Sequence, residues 1–169
     1  MKTLPCSVVF SFVLAATAPL AAAPSAAAPP DPRALVQLPA QEREALRREV
    51  AQARARDARP FAEIARIVAL APETNAAARA RRAPIARYVA RLGPDALMPA
   101  LELIAIDPPR GVPVASVTSI RLELVEAVGL LRDARALRVL FAVLDESGDD
   151  VETTRTAAEA IARIGTEGA

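Results

Sequence analysis

Three observations predict an all-α fold for this 169-residue chain. From residue 40 onward apolar side chains recur three and four positions apart, and no alternating run is long enough for a strand. Proline and glycine punctuate the chain between these periodic stretches. Finally, one helical segment recurs twice more along the sequence, the mark of a fold built from stacked units.

Taken in order, residues 1–27 have the layout of a secretory signal peptide. Lys2 supplies the positive start, residues 6–23 form an apolar stretch, and small residues follow. Pro24 and Pro29 disfavour cleavage directly before them, so Ser25-Ala26-Ala27 fits the peptidase best, with Ala23-Pro24-Ser25 as the alternative. The apolar stretch is shorter than the ~20 residues a spanning helix needs, and Pro19 interrupts it. The expectation is therefore an exported chain, periplasmic or secreted, with no membrane span after cleavage. Cys6 precedes the apolar run, where a lipid-bearing cysteine would follow it. Residues 28–39 are rich in Pro and Ala and read as a flexible lead-in.

Residues 40–169 form the helical domain, irregular over 40–74. The spacing predicts helices over 40–56, 60–71, 75–92, 95–106, 117–131, 134–145 and 150–164. The breaks fall at Arg59-Pro60, Ala71-Pro72, Gly93-Pro94, the stretch 107–113 and Ser147-Gly148. Helix 117–131 carries Val117, Ile120, Leu124, Val128 and Leu131 along one stripe. Helix 40–56 offers only Leu46 and Val50 among charged neighbours, which predicts the loosest helix of the set. Pro84 either bends the third helix or starts a new segment at Ile85.

The repeat aligns Arg82 to Gly93 with Arg121 to Arg132 and with Thr154 to Gly165, at offsets of 39 and 33 residues. A second helix follows each of the first two copies, with Ala100-Leu101 matching Val139-Leu140. Small residues at 86, 90, 127, 129, 157, 158 and 162 would let neighbouring helices approach, while Val89/Leu92, Val128/Leu131 and Ile161/Ile164 would fill the seam. A lone hairpin of this kind cannot cover its own apolar stripe, and stacking does.

The run Ile120 to Leu144 followed by Ala157 to Gly165 resembles the HEAT-repeat family, especially its short branch named after phycobilisome lyases. Arg121 and the linker Asp133-Ala134-Arg135-Ala136-Leu137 match that pattern, good over 117–165 and fair over 82–106. Pro84 and Tyr88 in the first copy and Thr154 in the third depart from it, and alanine stands in both other copies where the second has Gly129. The resemblance implies a right-handed α-solenoid of stacked antiparallel helix pairs, about seven helices in all, used as a binding scaffold. A lyase-like enzyme is implied by the branch's name alone, and export argues against it. The third copy lacks its second helix, so the expectation is a longer array or an end face that associates with another copy.

Composition narrows the function further. There is no His or Trp, and Cys6 is the only cysteine, so histidine-dependent catalysis, thiolate catalysis and Cys/His zinc sites are excluded for the mature chain. Beyond Lys2, 20 Arg balance 20 acids, which excludes a strongly basic nucleic-acid binder. The charge is uneven, with residues 28–100 at +5 and 101–169 at −5. Such polarity suits steering of a charged partner or head-to-tail association. Glu123 and Glu126 lie a turn apart but read as a solvated face. The stretch Asp145 to Asp150 does not follow a calcium-loop pattern, and Asp149 and Asp150 suit a helix start. The cluster Arg79, Arg81, Arg82, Arg87 and Arg91 reads as a solvated basic face, and loop 107–116 as a stiff spacer. The overall expectation is a non-catalytic scaffold for another protein, with no cofactor or metal; the alternative, from the incomplete last copy and the uneven charge, is a self-assembling structural module of the cell envelope. The scaffold would use the groove of its second helices, with Arg110, Asp133, Arg135 and Arg138 as exposed contacts.

Overall fold

The computed structural model describes residues 36–69 and 85–165. The expected signal peptide, most of the lead-in, the bend at Pro84, Arg79, Arg81, Arg82 and the last four residues lie outside them. The described residues form seven α-helices and no strand: α1 (Ala40–Arg56), α2 (Arg59–Ala69), α3 (Ile85–Arg91), α4 (Leu97–Ala105), α5 (Val114–Leu131), α6 (Leu137–Glu146) and α7 (Val151–Gly165). The fold is all-α. Among the described residues no helix is long and apolar enough to cross a membrane.

Local chemistry sets the helix ends. Pro113 stops α5 from extending backward, and the helix begins directly after it, three residues before the expected 117. It ends where Arg132 turns left-handed at φ 54°. Single 3-10 turns, Pro94–Ala96 and Ala134–Ala136, lead into α4 and α6, so these two helices start later than the spacing predicts. Asp150 caps α7: its carboxylate accepts from the N–H groups of Glu152 (3.1 Å) and Thr153 (3.2 Å) and from the Thr153 hydroxyl (2.7 Å).

Packing is organised around α5, which lies against α3 on one flank and α7 on the other and also contacts α4. Its expected stripe is present, with Val117, Ile120, Leu124 and Val128 buried and Leu131 half-buried. Val125, Ala127 and Gly129 are buried as well, because two neighbours cover two faces. The α5–α7 crossing is tight: a Cβ at Gly129 would lie 2.6 Å from the Ala160 Cα. Each second helix leans on the next first helix, α4 on α5 and α6 on α7. Glu123 of α5 accepts from the Ala86 N–H at the start of α3 (3.2 Å), which gives this carboxylate a structural use. At the other end, α2 buries Phe61, Ile64 and Val68, and the Tyr88 hydroxyl of α3 donates to Glu63 of α2 (2.8 Å).

The end of the lead-in is part of the core. Val36 and Leu38 are fully buried, and the Leu38 N–H donates to the Val36 carbonyl (2.9 Å) in a tight turn about Gln37. The flexible segment expected over 28–39 therefore gives way to packed chain by residue 36, because two large apolar residues flank one polar residue there.

Candidate functional site

The feature that bears most on function is where α1 lies. Leu46, Glu49, Val50 and Arg54 stand at i, i+3, i+4 and i+8, which places them on one helix face. Leu46 and Val50 are the buried residues of α1, as the sequence predicts. That face meets α4 and α6. Arg54 is bonded to Glu102 of α4, and the Arg138 guanidinium of α6 donates to Glu49 (2.7 Å). Before the helix begins, the Gln37 N–H donates to Glu146, the last residue of α6. Gln37 thus meets the end of α6 and Glu49 its beginning, so α1 runs antiparallel to α6. It packs on α4 and reaches α6 through the Glu49–Arg138 pair, at the edge of the second-helix face that the sequence reading assigns to a partner.

The attachment is shallow. Burial of Leu46 and Val50 contributes roughly 3–6 kcal/mol gross for seventeen helical residues. The ion pairs, each with one half-buried partner, add about 1 kcal/mol or less each. By contrast, α4 buries seven of its nine residues. A cleft of about 390 Å³ lies beside α1, lined by Val50, Ala51, Ala55 and Ile106 with Arg47, Arg54 and Glu102. A larger cavity of about 440 Å³ adjoins it, with Phe61, Val68, Pro99 and Leu103 along its walls. The Arg54 guanidinium stacks 4.2 Å over the Phe61 ring at its edge.

Three of the four expected contact residues gather beside α1. The Asp133 carboxylate accepts from the Arg135 N–H (2.9 Å) and from its guanidinium (2.6 Å), fixing the turn before α6. These bonds hold the Asp133 carboxyl below the usual carboxylate range and raise the Arg135 guanidinium. Arg135 lines a cavity of about 260 Å³ together with Ala53, Arg56 and Asp57. Arg138 is half-buried, and its Nε is buried without an acceptor. Arg110 lies elsewhere, on the loop between α4 and α5. It is exposed, paired with Asp107 (2.9 Å), and lines the 440 Å³ cavity.

Sequence reasoning missed Glu49, Arg54 and Glu102, and it missed a duplication. Asp57-Ala58-Arg59 repeats Asp133-Ala134-Arg135, and both make the same turn, with the Arg59 N–H donating to Asp57 (3.0 Å) as Arg135 does to Asp133. The identical tripeptide was the available signal. Asp57, Glu63, Asp133 and Asp150 have carboxyl pKa values lowered chiefly by donors from Arg59, Arg66, Arg135 and Thr153 respectively. This is the direction opposite to that of a general acid. Arg121 is half-buried with Nε lacking an acceptor; burial lowers its pKa, and Glu146 and Asp150 oppose that.

No family model, curated protein or solved structure matches the chain.

Proposed function

We propose that the chain is an exported, non-catalytic scaffold of HEAT-like helix pairs, stacked as a right-handed solenoid, that binds another protein along the face of α4 and α6. The observation that carries this reading is that burial recurs at the sequence repeat. Ile85, Ala86 and Val89 are buried, as are Leu124, Val125 and Val128, each 39 residues on. Ile120, Leu124 and Ala127 are buried, as are Thr153, Ala157 and Ala160, each 33 residues on. The second helices follow suit, with Ala100, Leu101 and Ile104 answering Val139, Leu140 and Val143. Such recurrence is what neighbour-on-neighbour stacking produces, and arrays of this kind serve as binding surfaces.

The test is affinity capture with the wild-type chain and with a variant reversed at Arg110, Asp133, Arg135 and Arg138, followed by titration of the purified captured protein. Saturable binding to wild type, weakened tenfold or more in the variant, is expected. Absence of any saturable partner overturns the scaffold reading, and equal binding removes these four residues from it. Export is tested by expressing the full chain and weighing the secreted product, which should begin at Ala28. A second reading, self-association, is favoured by Phe141 and Val151, which are 50% and 78% exposed. Light scattering at varied salt separates it from a monomeric binder.

A further inference from the structure

The outer face of α7 repeats the face through which α5 receives α7. Gly129 of α5 meets Ala160, and Val125 stands one turn before it on the same side. Both are buried. At the repeat offset of 33 residues, Ala158 and Ala162 of α7 occupy the same two positions, and both are exposed. With Val151 and Arg155, also exposed, they form a stripe at spacings of four, three and four, the pattern of a helix–helix seam. A face that takes a helix on α5 is therefore open on α7.

The charge and shape of this face decide which helix suits it. Head-to-tail stacking would bring a second copy's α3 there, with Ile85, Tyr88 and Leu92 at the places of Ala157, Ala160 and Ile164. Ala160 sits so close to α5 that a Cβ on Gly129 would lie 2.6 Å from its Cα, and Tyr88 puts a phenol ring at that place. The Tyr88 hydroxyl is also held by Glu63 of α2 (2.8 Å), and Ile85 is buried, so that side of α3 is already in use. A second α7 fits instead. It is small at Ala158 and Ala162, and its charges are self-complementary: in an antiparallel pair crossing beside Ala158, Arg155 of each copy reaches Glu159 of the other. Both side chains are more than half exposed. Within its own helix Glu159 stands 3.8 Å from Arg155 and 3.6 Å from Arg163, longer than hydrogen bonds, which leaves its carboxylate able to accept from a further donor.

We propose that two copies of this chain pair through α7, antiparallel about a two-fold axis near Ala158, with Arg155 and Glu159 exchanged across it. The contact is isologous and therefore closes at two copies. One helix pair makes a small interface, so the dimer is weak and depends on concentration. The pairing rests on the repeat of helix pairs, gives the self-association reading its surface, and leaves the face of α4 and α6 outside the contact.

Sedimentation equilibrium of the full chain over a range of concentrations reads the dimer directly. Arg155→Glu and Glu159→Arg each set like charges opposite one another twice, and each should weaken self-association about tenfold or more. An equimolar mixture of the two variants sets opposite charges face to face again and should pair about as tightly as wild type. Ala158→Arg fills the crossing and should abolish the dimer. All three positions are exposed, so circular dichroism melts of the variants should match wild type. A wild-type chain that stays monomeric at every concentration overturns the proposal, as does a mixture no tighter than its components or a dimer that Ala158→Arg leaves intact. Growth beyond two copies also overturns it, since only a head-to-tail stack fails to close. Capture of an external protein is a separate measurement: a strict monomer that still binds one refutes this pairing and keeps the scaffold reading, and a dimer that binds none does the reverse.

Discussion

Gly129 offers a test in which the sign of the effect is decided by geometry. A Cβ built there lies 2.6 Å from the Cα of Ala160 and 2.7 Å from its Cβ. Neither atom belongs to a flexible side chain, so relief requires moving α5 off α7. Carbon atoms in ordinary contact sit about 3.5–4.0 Å apart, so the helices must part by roughly 1 Å. A gap of that size forfeits about a quarter to a half of each contact's dispersion energy along the seam. Overpacking of this kind costs about 1–3 kcal/mol, and the extent of the α5–α7 contact places Gly129→Ala toward the upper end. Helix propensity returns about 1 kcal/mol, because alanine is the better helix former. The net loss is about 2 kcal/mol, equivalent to a fall in melting temperature of roughly 4–8 °C for a chain of this size. Circular dichroism melts of the full chain measure it. Gly165→Ala is the control, since nothing lies within 4 Å of its Cβ position. It should stay within about 0.5 kcal/mol of wild type. A Gly129→Ala chain that melts at or above the wild-type temperature would refute the close crossing.

Other expectations follow from single contacts. Leu38→Ala should cost about 2–4 kcal/mol in urea denaturation, because Leu38 is core; a value near zero would mean that residues 36–39 are linker after all. Asp150→Ala removes the α7 cap and should cost about 1 kcal/mol. Asp133 and Asp150 have lowered carboxyl pKa values, caused first by the Arg135 and Thr153 donors. Their contribution is therefore complete above the unfolded value of about 4 and is lost as pH falls through the lower folded value. Melting temperature should drop in that acid range, and Asp150→Asn, which still accepts but cannot titrate, should flatten part of the drop. For the α1–α6 tie, Glu49→Arg and Arg138→Glu should each destabilise, with the double swap recovering no more than about 1 kcal/mol.

The legible parts of the fold are those that local spacing controls. Helix 40–56 falls on its expected bounds because Pro39 precedes it and Leu46 and Val50 are its only large apolar anchors. The α5 stripe was readable for the same reason. Burial of Val125 and Ala127 was not, since it depends on α3 and α7 lying on opposite flanks, which no single-helix periodicity encodes. The starts of α4 and α6 shift because a single 3-10 turn carries the same side-chain pattern as the first turn of an α-helix. At the candidate site, Arg138 was found from its place on the inter-helix turn. Its partner Glu49 lies 89 residues away and was hidden, because a charged residue on a sparse helix reads as solvated until the surface it meets is known. For the same reason the packing of α1 on α4, the first of the second helices, was not readable from the sequence.

Native-state hydrogen exchange on the unmodified full chain tests the sparse anchoring of α1 against a core centred on α5 most directly. Amides of α1 should exchange through a small opening of their own, with those of α5 and α7 protected until the whole domain unfolds. Exchange of α1 in step with α5, or later than it, would contradict the account.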